Sequence, residues 1–461
     1  MRRPDDPRSA RDETCGFWSE IAGVDALKNV LDVFAERGFL ERVTDEGGLR
    51  NALEAPVTCY IGFDPTASSL HVGNLVQIMS LVHMQQDGHR PIALLGGGTG
   101  LVGDPSGKTE ARQLLTREII EKNGDALGGQ LSRYLDFSEN KALLLNNATW
   151  LTKLKYIDFL RDFGVRFSVN RMLTYEAIKT GLERGLSFIE FNYPCLQAYD
   201  FWYQFKNYGC VMQMGGSDQW GNIVAGIDLI RRMEGKQAYG LTSPLIETAD
   251  GKKMGKTEQG TVWLDAERTS PYEYYQFWIN TDDRDVERFM ALFTLLPMAE
   301  IQGLSRLNEK KLNGTKVILA FEATKMTHGR EKAIEAWRSA SAAFGKRVVD
   351  ESVVPSSEFH QIARDFAGGD EDLASSAVTI PTTVLEKRLF VPGMPAFELF
   401  HRVGLCRSGS EARRLIGQGG GYINEMRIED FGQLVTPEDI SEGMLILRAG
   451  KKKLHRVRVE G

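Results

Sequence analysis

Several stretches of this chain carry side chains able to act on a charged or flat-ringed ligand. YIGFDPTASSLHVGN, Tyr60 to Asn74, reads as a strand, a proline-containing loop and a helix beginning near Ser69. A helix start presents unsatisfied N–H groups and the positive end of a dipole, so it attracts anions. His71 would sit in its first turn. Gly73 costs a helix about 1 kcal/mol relative to Ala, and a flat base lying against bare backbone would be a reason for it. The simpler account is a turn plus a helix cap. LIETADGKKMGKT, Leu245 to Thr257, places an Asp250-Gly251 turn ahead of Lys252, Lys253 and Lys256. Such a cluster is usually solvated charge, but on a glycine-containing loop it also suits a clamp on a triphosphate.

FIEFNYPCLQAYDFWYQF, Phe188 to Phe205, looks like simple core except at Asp200. A carboxylate among Tyr199, Phe201 and Trp202 is costly if buried without a partner. Tyr193, Gln197 and Asp200 share one helical face, which suits a polar ligand in an apolar pocket. In MGGSDQWGN, Gly215 and Gly216 allow close approach while Asp218 and Gln219 supply acceptors and donors. LLGGGTGLVGDPSGKT, Leu94 to Thr109, offers two false matches. Gly98-x-Gly100-x-x-Gly103 needs a helix opening across its glycines, and Asp104-Pro105 prevents one. Gly107-Lys108-Thr109 lacks the P-loop's leading glycine, because position 102 is Val. What remains is a glycine loop able to approach a ligand, with Asp104 at its end and Lys108 and Arg112 beyond it as charge for phosphate.

These residues need a scaffold. The runs VTCYIGF, PIALLGG, GCVMQMG and TVWL alternate with helical runs such as LVQIMSLVHMQQ and YIDFLRDFG. That alternation predicts a parallel sheet with crossover helices, its ligands beyond the carboxyl ends of the strands at a switch point. After Asn280 the pattern turns helical, with Thr281 as N-cap of TDDRDVERFMALF. An acidic, Ser/Gly/Pro-rich stretch follows and reads as a linker holding one helix.

Length and charge bound the rest. The 461 residues allow two or three domains, 42% apolar content is ordinary globular, and the net charge of −6 excludes a wholly basic nucleic-acid binder. From Met394 onward eleven Lys/Arg face nine Asp/Glu, so this tail is +2; subtraction from 56 and 62 leaves −8 for the remainder. The tail is either a solvated basic face or an RNA-binding module on an acidic body. Five cysteines without a CxxC pair support neither a disulfide framework nor a zinc site, and no metal site is expected. No run of about 18 apolar residues suggests a membrane span. The expected location is the cytoplasm.

Taken together, the stretches resemble the bacterial-type tyrosyl-tRNA synthetases, class I aminoacyl-tRNA synthetases. HVGN resembles the HIGH signature and KMGKT the KMSKS signature; GDPSGK, LQAYDF, GGSDQWGN and YQFWINTDDRDV are similar to that family's sequence, and SGSEARRLIGQGGGYINEMRI to an S4-type RNA-binding domain. The resemblance covers Phe34 to Gly461. It implies an α/β class I Rossmann-like nucleotide-binding domain with a parallel sheet, then an α-helical domain and a small α+β S4-like domain. The expected boundaries are a disordered leader at 1–16, a catalytic domain at 17–279, a helical anticodon-side domain at 280–345, a linker at 346–393 and the S4-like domain at 394–461. An insertion at about 150–208 would form a homodimer interface.

The resemblance also implies the chemistry. Tyrosine would attack the α-phosphate of ATP, carried with Mg²⁺, and the tyrosyl group would pass to the 3′ end of tRNA(Tyr). His71 and Thr66 would contact the outer phosphates, joined by Lys253, Lys256 and Thr257, while Lys108 and Arg112 hold the leaving pyrophosphate. Gly62, Asp64, Gly73, Asn74, Gly216 and Asp218 would line the ATP site. Tyr60 and Asp200 would hydrogen-bond the phenol hydroxyl. Tyr193, Gln197, Asp104 and Gln219 would serve the rest of the amino acid. Arg402, Arg407, Arg413, Arg414, Lys451, Lys452 and Lys453 would meet RNA. Asn74 departs from the signature's second His, and Gly255 from its first Ser. The rival readings are the tryptophan enzyme of the same subclass and an RNA-binding protein on an inactive synthetase. The Tyr60–Asp200 pair and the S4-like tail argue against the first, and retention of His71, Lys253 and Lys256 against the second.

Overall fold

The computed structural model describes residues 29–104, 115–257, 260–345, 347–366, 381–424, 426–441, 443–450 and 453–461, with backbone alone at Arg184, Lys256, Thr257 and Lys453. The expected leader, Lys108, Arg112, Lys451 and Lys452 lie outside the described residues, as do the side chains of Lys256, Thr257 and Lys453. The chain divides into two units: one ends at Leu70 and resumes over Asn74–Ile246, and the other takes His71–Gly73 with Glu247–Gly461.

The first unit is built on a six-stranded sheet. Its strands are β1 (Arg42–Val43), β2 (Thr58–Phe63), β3 (Arg90–Leu95), β4 (Leu143–Asn146), β5 (Cys210–Gly216) and β6 (Tyr239–Ser243), in the order β1-β6-β5-β2-β3-β4. All neighbours are parallel except β1 on β6. β2 and β5 read as near-continuous apolar runs because helices cover both faces of a parallel sheet. The chain winds from β2 to β3 and β4 on one side and through β5 to β6 on the other. The switch point therefore lies between β2 and β5. TVWL does not join this sheet. Gly260–Thr261 pairs antiparallel with Lys256–Thr257 in the second unit. β1, β4 and β6 carry weak sequence signals: β1 has two residues, and β4 is half-exposed along its length.

The long helix Phe188–Tyr208 starts at a Ser187–Glu190 capping box and stops at Gly209, whose φ of 66° closes it. It packs on Trp220–Glu234, and it carries Tyr193, Gln197 and Asp200 along one face.

In the second unit, Pro271–Ile279 packs on Glu309–His328 and Arg330–Phe344. Tyr274, Tyr275, Trp278, Phe289 and Phe293 are buried together there, so the helical region begins upstream of the expected boundary at 279. Asp282, not Thr281, caps the turn at 283–285, its carboxylate accepting from Arg284 N.

The expected linker at 346–393 is also redrawn. Val353, Val354, Phe359 and Ile362 are buried, and Phe359 meets Phe321 at 5.5 Å and Trp337 at 5.2 Å. Apolar residues spaced among Ser and Asp were enough to dock this segment. Thr382–Glu386 pairs in parallel with the last strand, Lys453–Glu460, in a five-stranded sheet. The α+β tail thus begins at Thr382 rather than 394, around a core that includes Phe390, Phe400, Ile416 and Leu447.

Candidate active site

The residues that follow the carboxyl ends of β2, β3 and β4 form one hydrogen-bonded chain. Asp64 follows β2, Thr99 follows β3 and Asn147 follows β4. Thr99 Oγ1 donates to Asp64 Oδ1 at 2.8 Å, and Tyr193 OH donates to Asp64 Oδ2 at 3.3 Å. Asn147 Nδ2 donates to Thr99 Oγ1 at 3.0 Å and to Asp200 Oδ2 at 2.8 Å. Its Oδ1 accepts from Gly98 N at 2.7 Å, so the amide orientation follows from its partners. Trp150 Nε1 donates to Asp200 Oδ1 at 2.7 Å, and the indole stacks on Tyr203 at 4.4 Å.

Asp200 is 2% exposed and accepts on both oxygens. Burial pushes its carboxyl up to about 7, while the Asn147 and Trp150 donors pull it down and the charge of Asp64 adds to the rise. The buried Tyr60 hydroxyl has no hydrogen-bond partner among the described residues. Burial first, then the Asp200 charge, holds its phenol well above the usual range, so it remains a donor. A buried donor beside a buried acceptor is arranged for a small polar group on an otherwise apolar ligand.

The glycine loop packs closely against this hydrogen-bonded chain. A Cβ at Gly96 would lie 2.0 Å from Asp64 Oδ1, and one at Gly97 2.3 Å from Asn146 Oδ1. At these two glycines protein side chains fill the space a Cβ would take, which by itself accounts for their lack of a side chain.

A second polar cluster gathers on Gln219. Its Nε2 donates to Asp104 Oδ2 at 2.8 Å and to Asp218 Oδ2 at 3.0 Å. Its Oε1 accepts from Gln197 at 3.2 Å and from Asn222 at 3.1 Å. Two carboxylates on one amide suit a cationic group. Gly216, at the end of β5, would place a Cβ 2.6 Å from Asp218 Oδ1. Gly62 is exposed with open space where a Cβ would be, and Thr66 is exposed two residues past Asp64.

The second unit holds His71 and Gly73 with Lys253. The helix expected near Ser69 instead starts at Leu75, after a 3₁₀ turn at Val72–Asn74. His71 therefore precedes the helix, and Asn74 is its N-cap residue. His71 Nδ1 accepts from Gly73 N at 3.0 Å, which makes Nε2 the donating nitrogen of the neutral ring. A Cβ on Gly73 would lie 2.8 Å from the His71 ring and 3.0 Å from Met254 O. Gly255 has φ +81° and would put a Cβ 3.1 Å from Gly73 N. Each glycine is thus needed where HVG meets KMG, and Gly255 has a steric reason to replace Ser. Lys253 is exposed on that turn, and its backbone forms an isolated antiparallel β-bridge with that of Glu247.

In the tail, Arg402 pairs with Glu398 at 3.4 Å, and the Arg413 guanidinium lies 3.9 Å from the Phe397 ring centroid. Arg407 and Arg414 are exposed. Arg413 therefore contributes to the tail's own packing.

Asn147, Trp150 and Thr99 were missed by sequence reasoning. The available signal was NNATW directly after the apolar run LLL: paired amides and an indole just past a strand end.

Comparison with known proteins places this geometry. The family described as tRNA synthetases class I (W and Y) matches residues 51–345. A tyrosine–tRNA ligase of Syntrophus aciditrophicus is 58% identical over 435 residues, covering 94% of this chain and 100% of that one. A tyrosine–tRNA ligase of Desulfosudis oleivorans is 58% identical over 432 residues, covering 93% and 98%. Among solved structures, a C-terminally truncated mitochondrial tyrosyl-tRNA synthetase of Aspergillus nidulans aligns with a TM-score of 0.60 at 31% identity, covering 67% of this chain and 92% of that one.

Proposed function

Because the chain belongs to the bacterial-type tyrosyl-tRNA synthetases, we propose that it activates L-tyrosine with ATP and esterifies tRNA(Tyr) with the product. The observation that carries this reading is the buried pair of Tyr60 hydroxyl and doubly hydrogen-bonded Asp200. A phenol hydroxyl would accept from Tyr60 and donate to Asp200. A ligand lacking it, such as phenylalanine, would leave both groups unpaired in an apolar surround. Tryptophan offers an indole N–H but no oxygen to accept from Tyr60.

In the first step a tyrosine carboxylate oxygen attacks the α-phosphorus, and the bond to the bridging oxygen breaks to release pyrophosphate. The carboxylate is already ionised, so no general base is required; the protein positions and neutralises charge. Tyr60 and Asp200 hold the phenol end. Tyr193, Gln197, Asp104 and Gln219 receive the α-ammonium end, supported by the negative charge gathered at Asp104 and Asp218. His71 Nε2, Thr66 and Lys253 serve the outer phosphates. Lys256, Thr257, Lys108 and Arg112 are assigned the same charge on the family pattern. Gly62, Gly73, Asn74 and Gly216 offer bare backbone and an amide to the nucleotide. Asp64 is assigned to ATP on the family pattern, and its hydrogen bonds to Thr99 and Tyr193 tie it to the amino-acid side as well. Mg²⁺ enters as MgATP, bound by the phosphates of the substrate. In the second step the terminal adenosine hydroxyl of tRNA takes the tyrosyl group and AMP leaves.

The tail with Arg402, Arg407 and Arg414 is assigned to RNA, and the protein acts as a homodimer in the cytoplasm. The dimer assignment is supported by exposed Ile157, Val165, Val169 and Phe188 in the 150–208 region. No described helix is long and apolar enough to cross a membrane.

The deciding assay is tyrosine-dependent exchange of label between pyrophosphate and ATP. Absence of exchange would sink the reading, and exchange driven by tryptophan alone would transfer the chain to the other branch of the family.

A further inference from the structure

We propose that Trp263, backed by Arg268, is a positioning residue for His71. This rests on the reading that His71 serves the phosphates of ATP.

The His71 imidazole meets the Trp263 indole edge-on, with centroids 6.1 Å apart and an interplanar angle of 68°. The Arg268 guanidinium lies 3.4 Å from the same indole's centroid. The His71 Nδ1 accepts from Gly73 N at 3.0 Å. An aromatic ring packed against the imidazole restricts the tilt of its plane, and with it the direction in which Nε2–H points. Donor direction matters here because catalysis by charge stabilisation depends on a preorganised donor.

The indole is itself held. Residues 71 and 263 form an isolated β-bridge. Val72 N donates to Val262 O at 3.0 Å, and Trp263 N donates to Thr269 Oγ1 at 3.0 Å. Val262 N in turn donates to Gly255 O at 2.9 Å. The two backbone groups of Val262 therefore lace the HVG segment to the KMG turn, and Trp263 projects from that lace onto His71. Arg268 is exposed while Trp263 is half-buried, so the guanidinium covers an indole that would otherwise be wetter and freer to move. Trp263 acts only through His71 and is assigned no contact with substrate.

The test is a double-mutant cycle read by rapid-quench measurement of tyrosyl-adenylate formation, with tyrosine affinity measured in parallel. Trp263→Leu should slow adenylate formation about three- to tenfold, and Arg268→Met about two- to fivefold, both at unchanged tyrosine affinity. Trp263→Phe, which keeps a ring edge, should stay within about twofold of wild type. In a His71→Ala background, Trp263→Leu and Arg268→Met should have no further effect, because the group they position is gone. Full additivity in that background, or a matching loss of tyrosine affinity, overturns the proposal. Arg268→Met alters an exposed side chain and completes the cycle even if Trp263→Leu fails to fold. Failure of the wild-type chain to exchange pyrophosphate with tyrosine would instead overturn the functional reading, whatever the variants do.

Discussion

Replacing Trp150 with Phe should change how Asp200 titrates and leave its surroundings in place. The indole N–H is one of two donors that oppose the burial penalty on this carboxyl, at 2.7 Å, and the carboxyl sits at about 7 with both donors present. A hydrogen bond to a buried charge contributes roughly 1.5–3 kcal/mol. At 1.36 kcal/mol per pKa unit its loss raises the carboxyl by about one to two units, to a midpoint near 8.5. Phe keeps a ring to stack on Tyr203, so packing is largely retained. If tyrosine binds the ionised form, about half of wild-type sites are competent at pH 7 against roughly one in thirty in Trp150→Phe. Apparent tyrosine affinity should fall roughly fifteenfold at pH 7 and recover as pH rises through 8.5. Calorimetric titration with tyrosine between pH 6 and 9 reads both the loss and the midpoint. An equal loss of affinity at every pH, with the midpoint still near 7, would refute the reasoning, because the indole would then not be what keeps Asp200 ionised.

Asp200 also bears on the stability of the ligand-free protein. Its folded value of about 7 lies above the ordinary 3.8, so its contribution is full below pH 4 and is lost as pH rises through 7. The loss is on the order of 4 kcal/mol, and Asp200→Asn should flatten that part of a denaturation profile taken from pH 4 to 8. Gly73→Ala must push a Cβ into the His71 ring and Met254 O, and should slow adenylate formation at least about tenfold while tyrosine affinity holds. Loss of tyrosine binding instead would contradict that placement. Ile157 is 71% exposed, so Ile157→Asp should shift sedimentation from dimer to monomer if this face is the interface; an unchanged dimer would point elsewhere. Phe359→Ala should cost about 3–5 kcal/mol, because the ring fills a site between Phe321 and Trp337; a neutral result would mean the 347–366 segment is a linker after all.

What could be read in advance divides by the range of the interaction. Asp200 stood out because a charge among aromatic neighbours carries a cost that local sequence displays. Its two donors did not, since they lie 50 and 53 residues away in sequence. The switch point could be inferred because strand and helix periods alternate along the chain. The edge strands β1 and β4 were too short or too exposed to show a period. TVWL has the right residues for a sheet strand, but only its Thr261 pairs in a strand, with Lys256, while Trp263 forms an isolated bridge to residue 71. Thr382–Glu386 alternates exposed and half-buried residues weakly, and only its partner, the last strand, makes it a strand.

By itself the sequence determined the family and the polar residue types available to a phenol, an ammonium group and phosphates. Residue order carries that information through short motifs whose spacing is local. Tertiary structure decided how Asp200 is kept ionisable in an apolar wall, because Asn147 and Trp150 reach it only once β4 is in the sheet. It also decided that Gly96 and Gly97 make room for Asp64 and Asn146, since a glycine's reason is whatever occupies the space its side chain would have filled. Likewise, Gly255 in place of Ser is a departure when seen in the motif and a fit when seen against Gly73.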